Sequence, residues 1–162
     1  MTRLAFLSPA NAAPGVAVVS PLRHALGAGV VDVSHLGKLE LRGAVDTVAA
    51  RPGEDVLRLS PRRALLVTGG SAVSASERFA GSGVRAYDMT AALAAFDVEG
   101  EHLLRRLTEL DLSRLPAVGS IARGTRAVIE SRGEGRFRLF VPQELGHYLV
   151  EVVLDTLNGL GR

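Results

Sequence analysis

The sequence predicts an α+β fold made of two related halves, each a small antiparallel sheet with helices packed on it. Three observations carry this. Short runs of alternating apolar and polar residues recur along the chain. Two longer runs place apolar residues at helical spacing. The stretch VVDVSHLGKLELRG (residues 30–43) also returns in outline as AYDMTAALAAFDVEG (86–100).

Composition sets the bounds. The chain has 162 residues, 47% of them hydrophobic, which suits one compact domain or two small intertwined halves. Aromatic residues are only 4% and tryptophan is absent, so the core is built from Leu, Val and Ala, and stacking platforms for bases or sugars are disfavoured. Lys38 is the only lysine among nineteen basic residues, and the arginines are scattered with acids between them at a net charge of +2. A nucleic-acid-binding surface needs a basic cluster or stripe, and none is present. The absence of cysteine excludes disulfides, thiolate metal ligands and a cysteine nucleophile, and fits a cytoplasmic location. No apolar run reaches membrane-spanning length. The apolar patch in MTRLAFLSPANAAPG is too short for a signal peptide and is broken by Pro9.

Residues 1–29 read as an N-terminal extension. Pro9, Pro14 and Pro21 interrupt it, leaving room for a short strand at Val16–Val19. In KLELRG (38–43), Leu39 and Leu41 alternate with Lys38, Glu40 and Arg42, which predicts a half-buried strand with the charges in water. AVDTVAA (44–50) allows one or two helical turns. DVLRLSPRRALLVTG (55–69) reads as a hairpin around Ser60-Pro61-Arg62-Arg63, with proline pre-setting φ. SAVSASERFAGSG (71–83) is a weak helix and a Gly/Ser link, the best internal boundary. AAFDVEG (94–100) is a second alternating strand with Phe96 and Val98 inward. EHLLRRLTELDL (101–112) is an amphipathic helix with Leu103, Leu104, Leu107 and Leu110 on one stripe. Residues 126–130 and RFRLFVP (136–142) form two strands around Gly133-Glu134-Gly135. ELGHYLVEVVLDTL (144–157) is the last helix, with Leu145, Leu149, Val152, Val153 and Leu157 inward and Asn158-Gly159 as its stop.

The repeat organises these pieces. Asp32, Val33, Ser34, Leu39, Glu40, Leu41 and Gly43 correspond to Asp88, Met89, Thr90, Phe96, Asp97, Val98 and Gly100, with one extra residue in the second spacer. Each copy is followed by a helical segment and a pair of strands. Residues 30–162 are therefore read as a single domain of two pseudo-repeats, 30–70 and 86–158. Asp and Ser/Thr before a strand can bond backbone N–H groups in a turn, which is structural work. Ala91 stands where His35 falls in the first copy, so the pair Ser34-His35 reads as a fold element rather than a catalytic one. Neighbours on a strand also point to opposite faces, so adjacency does not make Ser34 a nucleophile and His35 its base.

Other chemistry is sparse. His24, His35, His102 and His147 include no pair at i,i+3 or i,i+4 spacing, so no local metal site is expected. No nucleophile elbow occurs. Gly69-Gly70 and Gly81-Ser82-Gly83 lack the spacing and the lysine of a phosphate loop and read as turns. Asp111 reads as a capping carboxylate.

The residues YDMTAALAAFDVEGEHLLRRLTELDLSRLP and RFRLFVPQELGHYLVEVVLD resemble the superfamily of the glycine-cleavage T protein and its folate-binding relatives. The shared pattern is Asp-x-Ser/Thr, a strand ending in Gly, a helix with LTxLDL, a strand ending in Val-Pro and a final helix. With SPLRHAL (20–26) and the hairpin DVLRLSPRRALLVTG, the order of pieces is most similar to the gamma subunit of heterotetrameric sarcosine oxidase, from about residue 20 to 158. Two departures stand out. Residues 44–50 are short for that family's first helix. RGTRAVIESRG (123–133) carries Glu130 as its only acid, where the aminomethyltransferases use several on folate; the chain is also too short for their further domains.

The resemblance implies a T-protein-like fold and a gamma-type subunit with no catalytic, cofactor-binding or metal-binding residues. Its partners are the large flavoprotein alpha, the beta and the small delta subunits. FAD, FMN, NAD and tetrahydrofolate are expected on those partners. The assembly would demethylate an N-methyl amino acid oxidatively and pass the one-carbon unit to tetrahydrofolate, while this chain stabilises it, in the cytoplasm, without nucleic acid or membrane. An exposed apolar face would mark the contact. The alternative is a stand-alone folate-binding protein of the same superfamily, of the tRNA-modification or iron–sulfur-repair type, with Glu130 or Asp97 gripping the pterin. An unrelated homodimeric scaffold is the third reading.

Overall fold

Two antiparallel sheets lie face to face, each carrying helices on its outer side. In the computed structural model the described residues are 20–24, 26–122 and 124–161. The strand expected at Val16–Val19 lies outside them.

The first half runs β1 (Val30–Asp32), β2 (Gly37–Arg42), a 3-10 turn (Val45–Thr47), β3 (Glu54–Ser60), β4 (Arg63–Thr68) and α1 (Ala72–Glu77). The second runs β5 (Arg85–Asp88), β6 (Leu93–Glu99), α2 (Glu101–Leu107), a 3-10 turn (Leu112–Arg114), β7 (Ala117–Ile121), β8 (Thr125–Gly133), β9 (Arg136–Pro142), a 3-10 turn (Gln143–Leu145) and α3 (Gly146–Leu160). One sheet has the order β3-β4-β2-β5 and the other β1-β6-β9-β8-β7. Both hairpins form where turn chemistry places them, the second around Gly133, Glu134 and Gly135, all at positive φ.

The halves exchange their first strands. β1 pairs with β6 of the second half, and β5 pairs with β2 of the first. The repeated motif builds this exchange. The Asp32 carboxylate accepts from Ser34 N–H at 2.9 Å, and Asp88 accepts from Thr90 N–H at 2.8 Å. The hydroxyls then reach across to the other copy. Ser34 Oγ accepts from Ala95 N–H (3.0 Å) and donates to Ala95 C=O (3.2 Å), while Thr90 Oγ1 accepts from Lys38 N–H (3.1 Å). Lys38 and Ala95 are equivalent positions. The motif's last residues, Gly43 and Gly100, sit at φ +127° and +108°, where the chain leaves β2 and β6.

Three apolar layers hold the sandwich. Phe96, Val98, Leu139 and Ile129 pack under α2 and α3. Leu39, Leu41 and Leu66 pack under α1. Leu57, Leu65, Val67, Ala95 and Phe140 meet between the sheets. β2 is thus buried on both faces. The expectation that Lys38 and Glu40 face water is wrong: Lys38 is 0% and Glu40 8% exposed, because a second sheet covers their side.

The helices also differ from expectation. α2 stops at Leu107 because Thr108 Oγ1 donates to Ser120 C=O at 2.7 Å and accepts from Leu110 N–H at 3.3 Å, drawing the chain into extended backbone. Leu110 therefore leaves the helical stripe, although it still packs on the core. α3 runs through Asn158-Gly159 to Leu160, and Val150 is buried beside Leu149 and Val153. The expected turns at 44–50 reduce to one 3-10 turn, whose Val45, Asp46 and Val48 carbonyls accept from the Arg58 guanidinium. No helix among the described residues is long and apolar enough to cross a membrane.

Candidate functional site

The polar residues that deserve a functional test lie between the sheets. Lys38 on β2 is the most buried of them. Its Nζ donates to the carbonyls of Ser34 (2.8 Å) and Leu36 (2.9 Å), which folds the β1–β2 connection over its ammonium group. Burial pushes its pKa down to about 8, against the opposing pull of the Asp32 and Asp88 carboxylates. Carboxylates from both repeat copies thus favour its charged form. Lys38 has no exposed surface, and its two bonds staple the β1–β2 connection to the strand.

Glu40 and Asp97 are equivalent in the repeat, and each is held by arginine. Burial raises the Glu40 carboxyl, but bonds from Arg42 (2.6 Å) and Arg63 (3.0 and 3.2 Å) outweigh it and leave its pKa low. Arg138 on β9 grips Asp97 through two bonds of 2.7 and 2.9 Å. Glu130 on β8 lies opposite Arg138 in register. Its Oε1 accepts from Arg132 at 2.9 Å, and Arg132 also reaches Asp55 on the other sheet at 2.7 Å. Its Oε2 is buried without a partner, and burial raises its pKa despite Arg132.

A test follows. A carboxyl whose pKa rises on folding favours the folded state at low pH and loses that advantage as pH climbs from 4.5 through the folded value. Glu130→Gln keeps an acceptor for Arg132, which retains Asp55. Its stability at neutral pH is expected to stay within about 1 kcal/mol of the parent. Its melting temperature between pH 4 and 7 should lack the fall due to Glu130. A variant profile parallel to the parent's, with no difference in slope, would overturn this.

The histidines do not converge. His24, His35, His102 and His147 are all exposed, and His147 Nε2 lies 3.2 Å from Glu151 Oε1 on α3. Asp111 caps the 3-10 turn Leu112–Arg114 through Ser113 N–H (3.1 Å) and Oγ (2.7 Å). No group of three or more His, Cys, Asp or Glu among the described residues could hold a metal. The described residues form open surface cavities. One, of about 590 Å³, lies between α2 and the β7–β8 turn, lined by Arg105, Arg106, Thr108 and Ser120. Another, of about 340 Å³, lies beside Val48, Arg78 and Val84. Lys38, Asp97 and Glu130 line neither. Sequence reasoning missed Lys38 and Arg138. The available signal for Lys38 was a lone lysine aligned with Ala95 in the other repeat.

No family model and no curated protein matches the sequence. Solved structures do. The chain is similar to a chain of the heterotetrameric sarcosine oxidase from Corynebacterium sp. U-96, with a TM-score of 0.73 and 17% identity over 90% of this chain and 97% of that one. It is also similar to glycine cleavage system aminomethyltransferase T from Bartonella henselae, with a TM-score of 0.52 and 18% identity over 78% of this chain and 45% of that one. These likenesses show the fold, an α+β arrangement of two antiparallel sheets with helices, as the sequence predicts.

Proposed function

We propose that the chain is a non-catalytic gamma-type subunit of a heterotetrameric, sarcosine-oxidase-like flavoenzyme. One observation carries this reading: the likeness to the sarcosine oxidase chain runs nearly end to end on both sides, whereas the aminomethyltransferase is matched over less than half its length. The subunit works in the cytoplasm with alpha, beta and delta partners that hold FAD, FMN, NAD and tetrahydrofolate. Those partners carry out oxidative demethylation of an N-methyl amino acid and one-carbon transfer.

The side-chain chemistry supports a stabilising role. The carboxylates between the sheets are engaged by arginines, and Lys38 by backbone carbonyls. The stand-alone folate reading needs Glu130 or Asp97 in an accessible pocket, whereas both are held by arginines between the sheets. Exposed large apolar residues are available for contact. Val31 and Tyr87 occupy equivalent places on the exchanged strands β1 and β5 and are 62% and 44% exposed. The others, Leu26, Val73, Tyr148 and Leu160, are spread over separate segments.

Gentle purification of the tagged chain from its own host tests the proposal. The expected result is a yellow complex with flavin absorbance and a large flavoprotein identified by mass spectrometry. A colourless, stable, monomeric chain without partners would overturn it.

A further inference from the structure

We propose that the free edge of β5 docks an extended, acidic segment of a partner protein, which extends the β3-β4-β2-β5 sheet by one strand. β5 ends that sheet and pairs with β2 alone. Met89 N–H bonds to Lys38 C=O at 2.8 Å, and this fixes the alternation: Arg85 and Tyr87 turn their backbone groups to β2, Ala86 and Asp88 turn theirs outward. Among the described residues nothing meets those outward N–H and C=O groups. Such a row is a template for another strand.

The side chains name the occupant. Arg63, Arg42 and Arg85 lie directly opposite one another on β4, β2 and β5, so three guanidinium groups share one face in a single cross-strand row. The row stands where the covering sheet gives out: along β2, Lys38 and Glu40 are buried, while the Arg42 side chain is 61% exposed. Like charges placed opposite each other cost stability, which an anionic neighbour would return. Glu40 is the one carboxylate paired with them among the described residues; it binds Arg42 and Arg63 and leaves Arg85 without a pair. Asp46 and Glu77 belong to the 3-10 turn and α1, which pack on the sheet's other face. Asp88 points to that face with Ala86, and its carboxylate accepts from Thr90 N–H. A strand added at β5 sets its own residues beside Arg85 and Tyr87 on the arginine face. Carboxylates there meet Arg85 and the Tyr87 hydroxyl. Tyr87 is 44% exposed with the Arg42 guanidinium 5.5 Å from its ring centre, and tyrosine and arginine are the residue types that anchor interfaces. The chain's own N-terminal stretch lacks the matching charge, since residues 1–19 contain Arg3 and no acid. A bare anion would use the charge and leave the backbone edge unfilled. The edge belongs to this chain whether or not the partner is a flavoprotein.

The test uses the full chain and follows backbone amide NMR shifts during titration with a short capped peptide alternating valine and glutamate. The same peptide with glutamine in place of glutamate is the uncharged control. Saturable shifts are expected at Ala86 and Asp88 with the acidic peptide alone, and they should weaken as salt is added. Arg85→Glu reverses an exposed, unpaired charge and should weaken binding about tenfold. Ala86→Pro removes an outward N–H and spares the bonds to β2, so it should also weaken binding and separates strand addition from charge attraction. No saturable shift, equal shifts with the glutamine peptide, or undiminished binding by either variant overturns the proposal. So does an equal response to inorganic phosphate, which would mark the row as a simple anion site.

Discussion

Replacing Lys38 with alanine is expected to cost about 3–5 kcal/mol of stability. The loss combines a cavity where the buried stem lay with two carbonyls, Ser34 and Leu36, deprived of their donor. Lys38→Met separates these effects. It fills most of the volume, removes the ammonium and relieves its desolvation, so its loss at neutral pH should be smaller, within about 2 kcal/mol. The pH profile is the sharper test. An ordinary lysine holds its proton up to about 10.5, whereas Lys38 in the fold releases it near 8. Between those values the unfolded chain binds the extra proton, so stability rises with pH; below 8 both states are protonated and the slope vanishes. The full rise is about 3 kcal/mol. Urea titrations of parent and Lys38→Met between pH 7 and 10.5, taken as a difference, remove every other group's contribution. Parallel curves would sink the assignment of Lys38 as a cation buried between the two repeat copies.

The same residue shows what periodicity conveys and where it stops. Alternation in KLELR correctly places Leu39 and Leu41 under a helix, but it says nothing about what covers the other face. In this protein that face meets a second sheet, and the charges alternating with leucine are the ones drawn inside. The internal repeat was legible, because Asp-x-Ser/Thr, an alternating strand and a closing glycine recur in order. Its physical meaning was only half legible. The Asx turns follow from local chemistry, whereas the reach of Ser34 to Ala95 and of Thr90 to Lys38 spans the two halves. β1 and β5 were invisible for the same reason. They have three and four residues, and their partners lie in the other copy. The candidate site divides similarly. Glu130 and Asp97 could be singled out as acids in a chain with few chemical motifs. That Arg132 and Arg138 hold them depends on strand register between distant segments.

Gly43 and Gly100 allow the repeat to be tested by its asymmetry. They end the motif in equivalent places and both have positive φ, so alanine at either position is strained, by about 2 kcal/mol. Their surroundings differ. A Cβ on Gly100 would meet nothing closer than Leu103 Cβ at 3.8 Å, an ordinary contact, while a Cβ on Gly43 would lie 2.5 Å from the Gly83 carbonyl oxygen. That oxygen is backbone, so relief requires moving the segment that leads into β5. Gly100→Ala should therefore lower the melting temperature by roughly 4–8 °C, and Gly43→Ala by at least twice that. Because β5 is the strand that the second half lends to the first sheet, the larger loss should come with faster amide exchange at Tyr87 and Met89, whose N–H groups face β2 and which Gly100→Ala leaves protected. Equal losses would mean that the Gly83 contact yields at little cost. Unchanged exchange at β5 would mean that Gly43 serves its own strand and not the exchange between the halves.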